Sequence, residues 1–405
     1  MENKALFAAE ADLSANFSKG QQVLLGLQHT LAMFGATVLV PLLTGLSVSV
    51  TLFSVGVGTL IFHFVTKFKV PAFLGSSFAF IAPLAACVTG MGVAYAQGGV
   101  IVAGIVYFIV GFAMPLLGDE RVAKLFPPVV TGPIIMVIGL GLAPTGVKMA
   151  SSNWTIALIT LGTALLVNIF GKGLLKVIPV VIALIVGYSA SIAFGLIDFS
   201  GVGQASLFGL PGFTLPKFSG NALLLVAPAA IVSCLEHIGD ILAIGSTVDK
   251  DFRKDPGLPL TFYGGGLATL VSGFLGGPSL TTYGENTGVL ALTKVYATFV
   301  VSCGACWAIT MSFIPKVEAI IYTIPESVIG GISVLLYGMI AGIGVRTVVE
   351  NQVNLMKTKN LLVASVILVL GIGGAAINIG EVHVSSMVIA AVAGIVLNLV
   401  IPEKA

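Results

Sequence analysis

The sequence predicts an all-α polytopic membrane protein whose fourteen transmembrane segments form a seven-plus-seven inverted repeat. Three observations predict it: the composition, the placement of the basic residues, and a repeat relating the two halves. The 405 residues are 57% hydrophobic and only 9% charged, with a mean hydropathy of +1.08 and apolar stretches along the whole length. A chain of that kind takes the bilayer as its solvent. The net charge of +2, without any run of Lys or Arg interleaved with aromatics, leaves no basic face for nucleic acid.

A window of about twenty residues, broken at Gly, Pro and charge clusters, places seven apolar segments before the polar stretch 199–220. They cover 21–43, 48–66, 71–88, 98–118, 126–147, 153–171 and 174–197. Seven more cover 221–244, 258–277, 279–292, 293–313, 325–344, 360–377 and 383–401. With the N-terminus inside, only Lys148, Lys217 and Lys316 fall outside, and the other sixteen Lys and Arg fall inside. A single missed span would scramble that alternation, so the positive-inside rule supports fourteen spans with both termini cytoplasmic. Residues 1–20 lack the basic-then-apolar order of a cleaved signal peptide and read as a cytoplasmic tail.

The halves repeat. "FPPVVTGPIIMVIGLGLAPTGV" (126–147) lies over "IPESVIGGISVLLYGMIAGIGV" (324–345) without a gap, matching at Pro127/Pro325, Gly132/Gly330 and Gly146/Gly344, an offset of 198. Leu27, Gln28 and His29 lie over Leu235, Glu236 and His237, and Ser76, Ser77 and Phe78 over Thr281, Thr282 and Tyr283. Generic Gly and Pro spacing would not keep these matches colinear. An odd number of spans per half inverts the second copy, the architecture of secondary transporters whose sites lie near the midplane between repeats.

Two segments read as broken. "VPAFLGSSFAFIAP" (70–83) and "GGPSLTTYGENTGVLAL" (276–292) are short, bounded by Gly or Pro, and rich in Ser, Thr and aromatics at first, which predicts a short extended strand followed by a half-helix. Such backbone is tolerated at membrane depth only where protein or a cavity surrounds it, so both breaks should face the site. A half-helix starting near Phe78 or Gly284 aims free N–H groups at a ligand.

Within "SCLEHIGDILAIG" (233–245), Glu236 and Asp240 are four apart and share a helix face. Ionisable groups cost at least ~2.5 kcal/mol each at mid-span, so they mark function. Glu285 sits where the second break turns into its half-helix. Three carboxylates in a low-dielectric pocket repel one another, which favours a proton shared among them and makes the cluster a proton carrier. A carboxylate is also the natural acceptor for the N–H groups of a planar imide-like ring, with backbone N–H groups for its carbonyls. Phe78, Tyr283 and Tyr337 offer the ring an apolar face, or serve only as packing. His29 and His237 are either proton-coupling groups or interior residues bonded across helices. His63 and His383, near span ends, read as bystanders, and "DKDFRKDPG" (249–257) as a solvated cytoplasmic loop.

Other classes fit less well. The four cysteines (Cys87, Cys234, Cys303, Cys306) lie in apolar segments as small hydrophobes, and the C-x-x-C at 303–306 has no second pair to complete a metal site. A metallohydrolase would use H-E-x-x-H, whereas this chain has E-H-x-x-D. No Walker loop is present, so energy comes from an ion gradient rather than ATP. The three carboxylates repel an anionic substrate, which weakens the reading as an ion-coupled anion transporter. No metal, cofactor or enzymatic chemistry is expected.

"GLQHTLAMFGATVLVPLL", "PAFLGSSFAFIAP", "EHIGD", "DPGL", "TTYGENTGVLALTKVYAT" and "GGISVLLYGMI" together resemble the bacterial uracil permeases of the nucleobase:cation symporter 2, or nucleobase–ascorbate transporter, family. The resemblance runs over nearly the whole chain. It implies a bacterial cell membrane protein, usually a homodimer, that imports uracil with protons. It divides the chain into a core domain (21–118 and 221–313) and a gate domain (119–198 and 314–401), joined outside by 199–220. The family's substrate carboxylates fall on Glu236 and Glu285, its ring-contacting and backbone-donating positions on Phe78, Tyr283 and Gly284, and its gate contacts on Ser333 and Tyr337. One position departs. Uracil–proton symporters carry a second His linked to coupling where this chain has Asp240. Asp there is common in the xanthine and urate branch, which usually has Gln at the place of Glu285. Because Glu285 would meet the substrate directly, uracil is the expected substrate and xanthine or another purine the alternative.

Overall fold

A computed structural model describes residues 12–117, 124–379 and 382–402. Most of the predicted N-terminal tail, with Lys4, and also Arg121 and Lys404, lie outside the described residues. The described helices of ten residues or more are α1 (Lys19–Thr44), α2 (Val48–Val65), α3 (Ile81–Met91), α4 (Val93–Leu117), α5 (Pro128–Ser151), α6 (Trp154–Phe170) and α7 (Pro179–Ala193). Then come α8 (Ala229–Val248), α9 (Leu258–Leu275), α10 (Gly284–Thr293), α11 (Thr298–Ser312), α12 (Glu326–Glu350), α13 (Thr358–Ile372) and α14 (Ser386–Val400). Among the described residues seven helical stretches are long and apolar enough to cross a bilayer, and five shorter apolar helices accompany them.

Local chemistry sets the ends. Ser18 and Gln21 form a reciprocal capping box at the start of α1, and Ser47 accepts from the Val50 amide at the start of α2. Pro128 and Pro179 occupy the first helical positions of α5 and α7, where a missing N–H costs nothing. The outward faces stay apolar, with Phe112 66%, Phe170 71% and Val369 70% exposed, as a lipid-facing surface requires.

Both breaks take the predicted form. β1 (Leu74–Ser76) precedes a 3₁₀ turn at Phe78–Phe80 and then α3; β2 (Leu280–Thr282) runs directly into α10. The strands pair antiparallel, Leu74 opposite Thr282 and Ser76 opposite Leu280, so each break satisfies the other's backbone inside the protein. Thr59 Oγ1 accepts from the Leu74 amide (3.0 Å) and Thr269 Oγ1 from the Leu280 amide (3.2 Å), the same device in each half.

Two packed groups of helices surround this pair. In one, α4 packs on α9, and α2 on both α9 and α11; in the other, α5 packs on α12 and α13, and α6 on α12. Small residues allow the closest approaches: a Cβ on Gly132 would lie 3.0 Å from the Gly344 carbonyl, and one on Gly344 would lie 2.5 Å from the Gly132 carbonyl. A hairpin of β3 (Ile377–Ile379) and β4 (Val382–Val384) lies between α13 and α14, where the sequence reading has only an interhelical connection. The 249–257 segment is mostly exposed, as expected, and pairs Lys69 with Asp255 and Arg253 with Asp251.

Candidate substrate site

The site is built where α8 passes the strand pair. On α8, Glu236 and Asp240 project from one face, four residues apart, and Glu285 stands in the first turn of α10. Glu236, Asp240 and Glu285 are each half-buried residues among largely buried neighbours, and Glu236 Oε2 itself is shielded from solvent. α8 packs against α10 and β2, which brings the stretch carrying Glu236 and Asp240 beside the helix that carries Glu285. Asp240 Oδ2 accepts from Thr282 Oγ1 at 2.7 Å, which ties it to β2. Glu236 Oε2 has no hydrogen-bond partner among the described residues, and an acceptor left open in this way has capacity for a ligand N–H.

α10 starts at Gly284 without a side-chain cap, so its first-turn amides are unsatisfied by any capping group. Space lies in front of it: a Cβ on Gly284 would meet only Ile343 Cδ1 of α12, at 3.8 Å. Across that gap Tyr337, on α12, packs its ring edge-on to Phe78 with centroids 6.2 Å apart. The Tyr337 hydroxyl lacks a partner among the described residues, while Ser333 one turn earlier donates to the Ile329 carbonyl. Glu236, Glu285, Gly284, Phe78, Tyr337 and Ser333 therefore come from elements that converge on one region.

Other expected residues sit differently. The Tyr283 hydroxyl donates to the Ser76 carbonyl at 2.9 Å, and its ring lies across Gly75, where an added Cβ would fall 2.2 Å from the ring. That ring locks β1 to β2. His237 is fully buried against Phe262 (centroids 4.8 Å), with Nε2 3.0 Å from Thr261 Oγ1, so its ring is turned toward α9. His29 is fully buried in α1, its carbonyl and Nδ1 both reached by Asn286 Nδ2 (2.9 and 3.2 Å), which couples α1 to the turn that follows Glu285. His63, read as a bystander, is fully buried and engaged at both nitrogens, by Ser302 Oγ and the Ala72 carbonyl at 2.8 Å each. The sequence reading missed Thr282 and Asn286 as supports; their signal was a hydroxyl and an amide inside a broken segment, where every polar group needs a partner.

The chain matches the Permease family (Xan_ur_permease) over residues 20–380. It belongs to that family. The permease is 43% identical to the "Uracil permease" of Bacillus caldolyticus over 409 residues, covering 97% of this chain and 95% of that one. It is 41% identical to the "Uracil permease" of Escherichia coli (strain K12), covering 94% and 91%. Among solved structures it resembles that of SLC26A9, with a TM-score of 0.68, 12% identity, and coverage of 96% of this chain and 66% of SLC26A9, just under two thirds of the latter's length. At that identity the likeness is one of fold alone. The permease is thus a multi-pass membrane transporter and not an enzyme, in the family that its motifs resemble.

Proposed function

We propose that the permease imports uracil by proton symport, with alternating access between a core domain (21–118, 221–313) and a gate domain (119–198, 314–401). The observation that carries the reading is the pairing of Glu236 and Glu285 around the uncapped start of α10. Two ring N–H groups meet two carboxylates, ring carbonyls meet backbone amides at Gly284, and Phe78 and Tyr337 enclose the ring. The relatives named uracil permeases, at 41–43% identity over more than nine-tenths of the chain, support the same substrate. The purine alternative rests on Asp240, whose bond to Thr282 gives it a scaffold partner and leaves Glu285 the better guide.

The domain division draws support from the packing. Pairs α2–α11 and α9–α4 exchange under the repeat, as do α5–α13 and α12–α6, and the first two pairs lie in the core and the last two in the gate. An inverted repeat with fourteen crossings accounts for that reciprocity. A proton on the Glu236, Asp240 and Glu285 cluster relieves its repulsion as substrate binds, and release inside follows when the core moves against the gate. The cell membrane location and homodimer follow from the family reading, and the cytoplasmic termini from the one-sided distribution of Lys and Arg.

Uptake of radiolabelled uracil into proteoliposomes under an inward proton gradient tests this, with and without excess xanthine. Accumulation abolished by a protonophore and indifferent to xanthine is the expected result. Xanthine uptake in place of uracil would overturn the substrate, and accumulation insensitive to the protonophore would overturn the coupling.

A further inference from the structure

After α11 the chain turns by 81° into a short helix, Pro315–Tyr322, which packs on α2 and α11. The carboxylate of its Glu318 is held by four donors: Oε1 accepts from Ser47 Oγ (2.8 Å), the Ser49 amide (3.3 Å) and Tyr322 Oη (3.3 Å), and Oε2 from Ser49 Oγ (2.7 Å). Ser47 is the N-cap of α2 and Ser49 stands in its first turn. A carboxylate from one half of the chain thus satisfies an orphan amide, and complements the positive end of a helix, in the other half. Tyr322 Oη also reaches the Leu46 carbonyl (3.3 Å), just ahead of α2. One residue later the attachment changes sides. Thr323 Oγ1 donates its one hydrogen to the Ile320 carbonyl (2.7 Å), so in its 2.6 Å bond with Tyr188 of α7 the tyrosine is the donor. Pro325 then caps α12 in an extended conformation, and a proline there disfavours helical backbone at Ile324.

We propose that the short helix travels with the core domain, clasped to α2 by Glu318, and that the movement between core and gate hinges at residues 323–325. The hinge rests on the reading of a core that moves against a gate, and it shifts the boundary between them from 314 to 323. Its physical ground is the contrast between the two sides of the Tyr322–Thr323 junction. On the core side, pulling the helix away would strand a half-buried carboxylate together with the amide and hydroxyls that donate to it, so the clasp resists shear. On the gate side, a pair of hydroxyls and a few residues between two helix ends make the join. Such element-terminal residues absorb the φ/ψ change of a domain motion without disturbing the helices they connect. The clasp therefore carries the strain of each cycle away from α2 and delivers it to the three residues ahead of α12.

The test is pulsed electron spin resonance on the full chain in proteoliposomes, with and without saturating uracil. Spin labels on unnatural amino acids replace, in pairs, the exposed residues Thr89 of α3, Lys148 of α5 and Ile320 of the short helix. The Thr89–Lys148 pair reports the movement of core against gate. The Ile320–Lys148 distance is expected to shift with it, by roughly one helical turn, while the Ile320–Thr89 distance stays constant. A shift in Ile320–Thr89 as large as that in Thr89–Lys148 would place the helix with the gate and overturn the proposal. An unmoved Thr89–Lys148 pair would instead overturn the moving core itself, and the hinge with it. Glu318→Gln keeps the shape of the side chain and loses its charge. It is expected to broaden the Ile320–Thr89 distribution and to slow uptake about threefold to tenfold, with the calorimetric affinity for uracil unchanged. A distribution as narrow as that of the wild type would remove Glu318 as the clasp. The broadening is read without ligand, so it decides the clasp whichever nucleobase is the substrate. Should Glu318→Gln fail to fold, Ser49→Ala removes one hydroxyl donor from the same carboxylate, and the same broadening is expected of it.

Discussion

The two broken segments share a backbone but not a chemistry. Both run a three-residue strand into a helix, both use a threonine from the preceding helix to hold the strand, and the strands pair with each other. At the turn, however, the first break has Ala79 and Phe80 at the positions where the second has Gly284 and Glu285. On the proposed reading, an inverted repeat duplicates the scaffold and leaves each copy free to diverge where substrate would be met, one break supplying the apolar wall and the other the charge and the uncapped helix start.

The largest expected effect removes that asymmetry. Glu285→Gln makes both breaks neutral, leaves a side-chain amide where an acceptor is required, and is expected to cut uracil uptake about 10-fold to 150-fold, since a charge-assisted bond to a buried partner is worth about 1.5–3 kcal/mol. Initial rates in proteoliposomes check it, and concentrative uptake that survives would remove Glu285 from the site.

Next comes the shared scaffold. Gly75→Ala drives a Cβ into the Tyr283 ring, which is pinned by its bond to the Ser76 carbonyl, so strand pairing must distort. A loss of about 1–3 kcal/mol is expected, seen as a lowered Tm in detergent. Gly284→Ala has open space ahead of it and is expected to leave Tm nearly unchanged while impairing uptake. Equal Tm losses for the two would mean that the breaks differ less than their surroundings indicate.

Much of this was legible in the sequence because a bilayer makes polar residues conspicuous. The breaks, the carboxylate cluster and the gap facing Tyr337 follow from Gly and Pro punctuation, the four-residue spacing of Glu236 and Asp240, and the repeat. What the sequence did not reveal is rotation. His237 adjoins Glu236 in the chain, yet one helical step of about 100° turns its ring toward Thr261 and Phe262. Tyr283 follows a strand, and only its actual direction shows that its ring closes over Gly75, while Phe78 packs against Tyr337.

A smaller effect sharpens the role of the apolar break. Phe78→Ala removes one edge-to-face partner of Tyr337 and one wall of the gap, and the expected loss in uracil affinity is about fivefold, in line with ~1 kcal/mol for such an aromatic contact. A calorimetric titration measures it, and a loss as large as that of Glu285→Gln would mean that Phe78 also shapes the strand pair.

The smallest effect lies outside the membrane, where the chain entering α1 is stitched to the loop following α10. The Leu13 amide donates to the Lys294 carbonyl (2.9 Å), the Ala297 amide to Ser14 Oγ (2.9 Å), and the Tyr296 amide to Asp12 Oδ1 (3.0 Å). Burial works against charge on Asp12, but the bonds from Ser14 and Tyr296 outweigh it and hold the carboxyl below its ordinary value. A group depressed in the folded state adds stability above its unfolded value, about 3.9, and loses it as pH falls through the lower folded value. Asp12→Asn keeps an acceptor and loses only the charge, so a cost near ~0.5 kcal/mol is expected at an exposed position. The Tm difference from wild type is expected to be constant from about pH 6 to 8 and to close below about pH 4. A difference that persists in acid would show that the carboxamide disturbs the docking itself. Lost uptake at neutral pH with unchanged Tm would tie this stitch to the position of Glu285, two and a half turns away on α10.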